Sequence, residues 1–134
     1  MTPQVSDFGL ACYGKEARGK TGEVPWRWTG PEVMEQQLWC QATDVWAFAV
    51  TLWEIFTNAL IPYSEISEDE ELQRRVFGHG LRLDRPPKCP DGVWEVMERS
   101  WQHDHSCRDS FEEIAQQLLS ASSAHLADGP LFVM

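Results

Sequence analysis

Basic residues are scarce in this sequence. Eleven lysines and arginines stand against twenty-one aspartates and glutamates, for a formal net charge of −10 and a pI of about 4.7. A nucleic-acid binder needs a basic face, and so does a protein held on an anionic membrane surface. Neither partner is expected, and no membrane insertion is expected because no long apolar run is present. Cysteine is also sparse: four residues, at 12, 40, 89 and 107, form no CxxC pair. Without a secretory signal pattern, disulfides are not expected, and the compartment reads as reducing and cytoplasmic. His103-Asp104-His105-Ser106-Cys107 gathers metal-type side chains, but no second cluster completes a tetrahedral site with it.

What is present is the composition of a core-forming chain. The 134 residues suit one domain, 43% are hydrophobic, and seven are tryptophan. Acid concentrates locally in Glu65-Ile66-Ser67-Glu68-Asp69-Glu70-Glu71, the pattern of a solvated loop and the negative first turn of a helix. The clearest helix runs from Thr43 to Asn58, with Thr43 as cap and Asp44 in its first turn. Its apolar residues, among them Trp46, cover nearly the whole circumference, so it reads as a central post needing cover on most sides. Pro31 opens a helix before it, with Glu32 at the positive end. Ser67 caps a helix through about Phe77, ended by Gly78 and Gly80. Pro90 or Asp91 opens another through about Trp101, with Val93, Val96, Met97 and Trp101 on one face. Ser110 and Glu113 form a capping box for the last. Periodicity fades from Ser120, so 120–134 reads as a frayed tail. Residues 4–7 suit the end of a short strand, and 12–23 a mobile loop. The fold class is mainly α: about five helices around a buried central helix, with a remnant strand at the amino-terminal end.

Asp7-Phe8-Gly9 alone is a weak signal, since an Asp-Phe-Gly turn arises by chance. Order and spacing carry more weight. Asp7-Phe8-Gly9 is followed by "PWRWTGPE" (25–32), "DVWAFAVTLWEIFT" (44–57), "IPY" (61–63), "GLRLDRPPKCP" (80–90) and "RSWQHDHSCRDSFEEI" (99–114). This series resembles the carboxyl-terminal lobe of a protein kinase. More narrowly, it resembles a cytoplasmic tyrosine kinase of the Src and C-terminal Src kinase type. The resemblance covers residues 5 to about 119 and implies a partial kinase domain over 1–119.

The resemblance implies roles residue by residue. Asp7 resembles the Mg²⁺ ligand that faces the ATP phosphates, and Phe8 the aromatic whose packing sets active and inactive states. Phe8, Gly9 and Tyr13 fall in the activation segment. Pro25, Arg27, Trp28 and Thr29 resemble the platform for a substrate tyrosine. Glu32 and Arg108 resemble the ion pair that ties this platform to the lower lobe. Asp44 resembles the helix-start acid that hydrogen-bonds the catalytic-loop backbone. Trp46 belongs with these structural positions.

Several positions depart from the pattern. No segment matches the glycine-rich loop, the strand lysine and its helix glutamate, or the His-Arg-Asp catalytic loop. These 134 residues therefore name no catalytic residue. A complete relative would use ATP and Mg²⁺, with neither expected on this chain alone. Trp26 stands for a small β-branched residue, Gly30 for Ala or Ser, and Ala49 for glycine. Asp109 stands for proline, where it is placed to compete with Glu32 for Arg108. The expected partners are a protein substrate or a regulator of a tyrosine kinase. A non-catalytic binding module and a truncated gene product remain as alternatives. With the preceding helix and catalytic loop absent, Trp, Val and Phe surface of the central helix is expected to face water.

Overall fold

The computed structural model describes the backbone of residues 16–18 and 23–126, and the side chains of residues 23–122. Asp7, Phe8, Gly9, Tyr13 and the expected strand at 4–7 lie outside the described residues. Five helices follow in order: α1 (Pro31–Gln36), α2 (Gln41–Phe56), α3 (Asp69–Gln73), α4 (Asp91–Ser100) and α5 (Phe111–Leu126). A π-helical turn, Arg74–Gly78, continues α3. Two three-residue strands, β1 (Glu16–Arg18) and β2 (Leu38–Cys40), pair antiparallel, with Ala17 opposite Trp39. Residues 16–18 were expected within a loop. Three residues give no readable alternation, so the pairing has no sequence signature.

Helix α2 is the post on which the rest packs. Val45, Trp46, Ala49, Val50, Leu52 and Trp53 are all buried. Against them lie Val93, Val96 and Met97 of α4, Trp101, and Ile114 of α5. Leu72, Val76 and Phe77 close a further side. The helix is not covered all round, however. Gln41, Asp44, Thr51 and Ile55 form an exposed stripe, with Ala47 and Phe48 half-buried beside it. The expectation of bare Trp and Val is therefore corrected. Helical spacing puts a polar residue at most stripe positions and turns the tryptophans and valines inward. The larger exposed apolar surface lies in the last turn of the helix and just past it, where Ile55, Leu60 and Ile61 are each more than half exposed.

Local chemistry explains the helix ends. Pro31 takes the first position of α1, where its missing N–H costs nothing. Helix α2 begins two residues earlier than expected, at Gln41, with Cys40 as N-cap. Thr43 caps from inside the helix: the Cys40 N–H donates to Thr43 Oγ1 at 3.2 Å. The N-cap of α3 is Glu68 and not Ser67, and no side chain caps it. The capping box of α5 forms as expected, with Ser110 N–H to Glu113 Oε1 at 2.9 Å and Glu113 N–H to Ser110 Oγ at 3.1 Å. That helix runs to Leu126, past the expected onset of fraying at Ser120. Gly92 of α4 lets Ala121 approach: a Cβ on Gly92 would lie 2.8 Å from the Ala121 Cβ. Ala121 thus extends the α4–α5 contact beyond the apolar periodicity.

Candidate functional site: the platform and its buried anchor

Residues 25–32 leave the amino-terminal part of the chain and enter α1. Trp26–Trp28 form one 3₁₀ turn, in which the Trp28 N–H donates to the Pro25 carbonyl at 3.0 Å. The Thr29 hydroxyl donates to the same carbonyl at 2.6 Å, so Pro25 and Thr29 lock each other. Arg27 does not reach out to solvent. Its Nη1 donates to the carbonyls of Pro62 and Tyr63, each at 2.8 Å, and its Nη2 donates to that of Ile66 at 2.6 Å. Trp28 Nε1 donates to Glu54 Oε1, near the end of α2, at 2.9 Å. Trp26 meets Phe77 edge to face, with ring centroids 6.0 Å apart. The platform residues are therefore together, but Arg27 and Trp28 spend their polar atoms on holding the segment in place.

Glu32 and Arg108 meet in a bidentate ion pair. Arg108 Nη2 lies 2.7 Å from Glu32 Oε1, and Nη1 donates to Oε2 at 2.9 Å. Their side chains are 1% and 0% exposed, so water does not screen the pair. Every N–H of the guanidinium is used. Nε donates to the Gln102 carbonyl at 2.9 Å, Nη1 also to that of Ala42 at 2.8 Å, and Nη2 also to that of His103 at 3.3 Å. Thr43 completes the carboxylate side by donating its hydroxyl to Glu32 Oε2 at 2.7 Å. Burial pushes the Glu32 carboxyl up, but hydrogen bonds and charge from Arg108, with the Thr43 hydroxyl, more than offset it. The net effect holds the carboxyl below its ordinary value.

The expected competition from Asp109 does not occur. Asp109 Oδ2 pairs with Arg99 at 3.0 Å and accepts from Gln117 Nε2 at 2.9 Å. Gly30 is also more than a loose point before Pro31. A Cβ there would lie 2.9 Å from both Glu32 carboxylate oxygens and 3.2 Å from Arg108 Nη2. Glycine at this position lets the ion pair close against the backbone.

Trp46 sits under two cations, the half-buried Arg82 and the buried Arg108, whose guanidinium carbons lie 4.9 Å and 5.0 Å from its ring centroid. An indole face is a favourable surface for a guanidinium, and here it sits by two. Arg82 donates to the carbonyls of Trp101, Val76 and Leu81, each at 2.9 Å. Sequence reading missed Arg82 and Thr43. An arginine inside an apolar stretch, Leu81-Arg82-Leu83, is the one hint the first offers. Thr43 keeps its capping role and is also a buried donor to Glu32.

Asp44 lies at the surface and makes no hydrogen bond or ion pair among the described residues. Its flank faces protein, and that burial raises its carboxyl above the ordinary value. Among the described residues no group of three or more His, Cys, Asp or Glu could hold a metal ion. Asp7, the single carboxylate linked to Mg²⁺, lies outside them. No helix among the described residues is long and apolar enough to cross a membrane.

Comparison with known proteins accounts for this arrangement. A family model described as "Protein tyrosine and serine/threonine kinase" matches residues 1–118. The tyrosine-protein kinase transforming protein Fps of avian sarcoma virus (strain PRCII) is 31% identical over 128 residues, covering 92% of this chain and 24% of that protein. The Fps protein of Fujinami sarcoma virus is likewise 31% identical over 128 residues, covering 92% of this chain and 14% of its own length. The chain thus spans a quarter or less of these relatives. With a match over nearly its whole length, the chain belongs to the protein tyrosine and serine/threonine kinase family.

Proposed function

We propose that residues 1–119 form the carboxyl-terminal lobe of a cytoplasmic protein tyrosine kinase of the Src and C-terminal Src kinase type. The observation that carries this reading is the buried Glu32–Arg108 pair, which fastens the segment after Trp28 to the loop before α5. In this reading Pro25 to Thr29 support the backbone beside a substrate tyrosine. Arg27 and Trp28 position that support and do not touch the substrate. Phosphoryl transfer rests on positioning and charge neutralisation by many groups at once. The 134 residues hold no lysine strand and no His-Arg-Asp loop, so by themselves they transfer no phosphate. ATP and Mg²⁺ belong to the complete enzyme, and the described residues supply no site for the metal.

The test is a chimera. Residues 5–119 replace the matching part of a tyrosine kinase whose amino-terminal lobe and catalytic loop are intact. The expected result is Mg·ATP-dependent phosphorylation of a tyrosine peptide, lost on Asp7→Ala. A folded chimera that binds ATP but phosphorylates no tyrosine would favour a non-catalytic binding module. The 134-residue chain alone serves as the inactive control.

A further inference from the structure

The chain leaves α2 through a firmly held turn. The Glu54 carbonyl accepts the Thr57 N–H at 3.2 Å, the Thr57 hydroxyl at 3.3 Å and the Ala59 N–H at 2.8 Å. The Leu60 N–H donates to Thr57 Oγ1 at 3.4 Å. Asn58 and Ala59 take left-handed backbone, at φ 58° and 65°. Asparagine tolerates that region, whereas alanine pays a steric cost there. Beyond Ile61, Pro62 and Tyr63 are buried, and Arg27 holds both carbonyls at 2.8 Å. Leu60 and Ile61 are thus fixed from both sides, yet they are 58% and 61% exposed. Ile55, next in sequence to the carbonyl that receives Ala59, is 59% exposed. Left-handed non-glycine residues persist where the surroundings over-determine them, and they collect at binding sites. Three large apolar side chains on fixed backbone expose roughly 300 Å², a size at which such patches are often functional.

Charge selects what covers this patch. No Lys, Arg or His occurs between Arg27 and Arg74. Of the acids in that stretch, Glu32 is held by Arg108, Glu35 by His103 and Glu71 by Arg74. Glu65, Glu68, Asp69 and Glu70 are exposed and join no ion pair among the described residues. The Ile66 N–H donates to the Tyr63 carbonyl at 2.9 Å, so the chain turns directly after the patch into these acids. A second copy would set the same carboxylates against each other, and an anionic lipid surface would be repelled. A basic partner meets complementary charge. Residues 57–61 form no strand, so an extended peptide gains no backbone pairing there. A helix brings its own backbone hydrogen bonds and needs only an apolar seat.

We propose that Ile55, Leu60 and Ile61 form a docking surface for a basic amphipathic helix of a partner protein. The apolar face of that helix lies on the patch, and its Lys or Arg side chains meet Glu65 and the acids that open α3. The surface adjoins the platform. Glu54, which holds Trp28, stands just before it, and Pro62 and Tyr63, which hold Arg27, stand just after. This inference is independent of whether the platform serves a substrate tyrosine.

The experiment titrates the isotope-labelled 134-residue chain with a synthetic amphipathic helix of leucine and lysine and follows chemical shifts by NMR. A leucine–glutamate helix with the same apolar face and a scrambled leucine–lysine peptide are the controls. Shift changes centred on residues 55–61 and 65–70 are expected. Leu60→Ser with Ile61→Ser should weaken binding by about tenfold or more, since two buried side chains are lost. Ile55→Ser, a separate exposed position, should weaken it as well. Glu65→Gln with Glu68→Gln should weaken it and flatten its salt dependence. Circular dichroism confirms that each variant is folded. Shifts confined to other surfaces, unchanged affinity in the Leu60/Ile61 variant, or equal binding of either control peptide would each overturn the proposal. So would a dimer seen by sedimentation without peptide and abolished by Leu60→Ser with Ile61→Ser, which would assign the patch to a second copy.

Discussion

Arg108→Ala is the most informative single change. It leaves the Glu32 carboxylate buried, with the Thr43 hydroxyl as its remaining side-chain partner. It also removes a hydrogen-bond donor from the carbonyls of Ala42, Gln102 and His103 at once. Removing one partner of a buried ion pair costs about 3–5 kcal/mol. The orphaned carbonyls overlap with that figure rather than adding to it, because water can enter the space the guanidinium vacates. A small domain is stable by roughly 5–15 kcal/mol, so the variant should be marginal. Urea unfolding followed by tryptophan fluorescence suits a chain with seven tryptophans. The pH dependence gives a second reading. In the native chain Glu32 titrates below its ordinary value, so its contribution is complete above the ordinary carboxylate range. That contribution is lost as pH falls through the lower folded value. Without Arg108, burial, the largest influence on this group, is opposed mainly by the Thr43 hydroxyl, and the carboxyl should rise. The sign then reverses, and the variant should gain stability as pH falls toward the ordinary carboxylate range. Glu32→Gln should cost less, and adding Arg108→Ala to it should cost less than Arg108→Ala alone by more than about 1 kcal/mol. A cost for Arg108→Ala below about 1 kcal/mol at neutral pH, or strict additivity in the double variant, would refute the reasoning.

Two further outcomes follow from the same geometry. Gly30→Ala should destabilise by about 1–3 kcal/mol, because its Cβ meets a carboxylate pinned by Arg108 and Thr43; an unchanged urea midpoint would mean that Glu32 can retreat without losing its partner. Asp44 should titrate above 3.8 by carbon-detected NMR, since burial raises its carboxyl; a value below 3.8 would mean that the positive end of α2 outweighs burial.

The helices were legible because their signals are local. Spacing of Val93, Val96 and Met97 marks α4, and Ser110 with Glu113 marks the start of α5. The Glu32–Arg108 pair was legible only through resemblance, since 76 residues separate the two. What stayed hidden was partner choice. Asp109 adjoins Arg108 in sequence, yet it pairs with Arg99, ten residues back in α4. Arg27 resembles, by sequence, part of the platform for a substrate tyrosine. It is instead a clamp on three carbonyls, and no pattern in residues 25–29 reveals where those carbonyls are. Cys40 is a poor capping residue, so the true start of α2 could not be read from it.

Residues 25–29 and the Glu32–Arg108 pair are both fastened to α2. Glu32 is held to Thr43 in the first turn of α2, and Trp28 is held to Glu54 in its last. At 1.5 Å per residue those attachment points are about 16 Å apart along the helix axis. The backbone from residue 28 to 32 can span at most about 14 Å, so the long Trp28 and Glu32 side chains must make up the rest. The segment therefore lies along α2 and is fixed near both ends. Arg108 touches the amino-terminal end of that helix through the Ala42 carbonyl and stacks on Trp46 one turn later. Loosening Arg108 acts first on the opening turns of α2. The Trp28–Glu54 hydrogen bond lies at the other end of the same helix, so its loss in an Arg108 variant would show that the disturbance spreads along α2. Gly30→Ala and Arg108→Ala both act on the Glu32–Arg108 pair, one by crowding it and the other by removing it, so their costs should not add in the double variant.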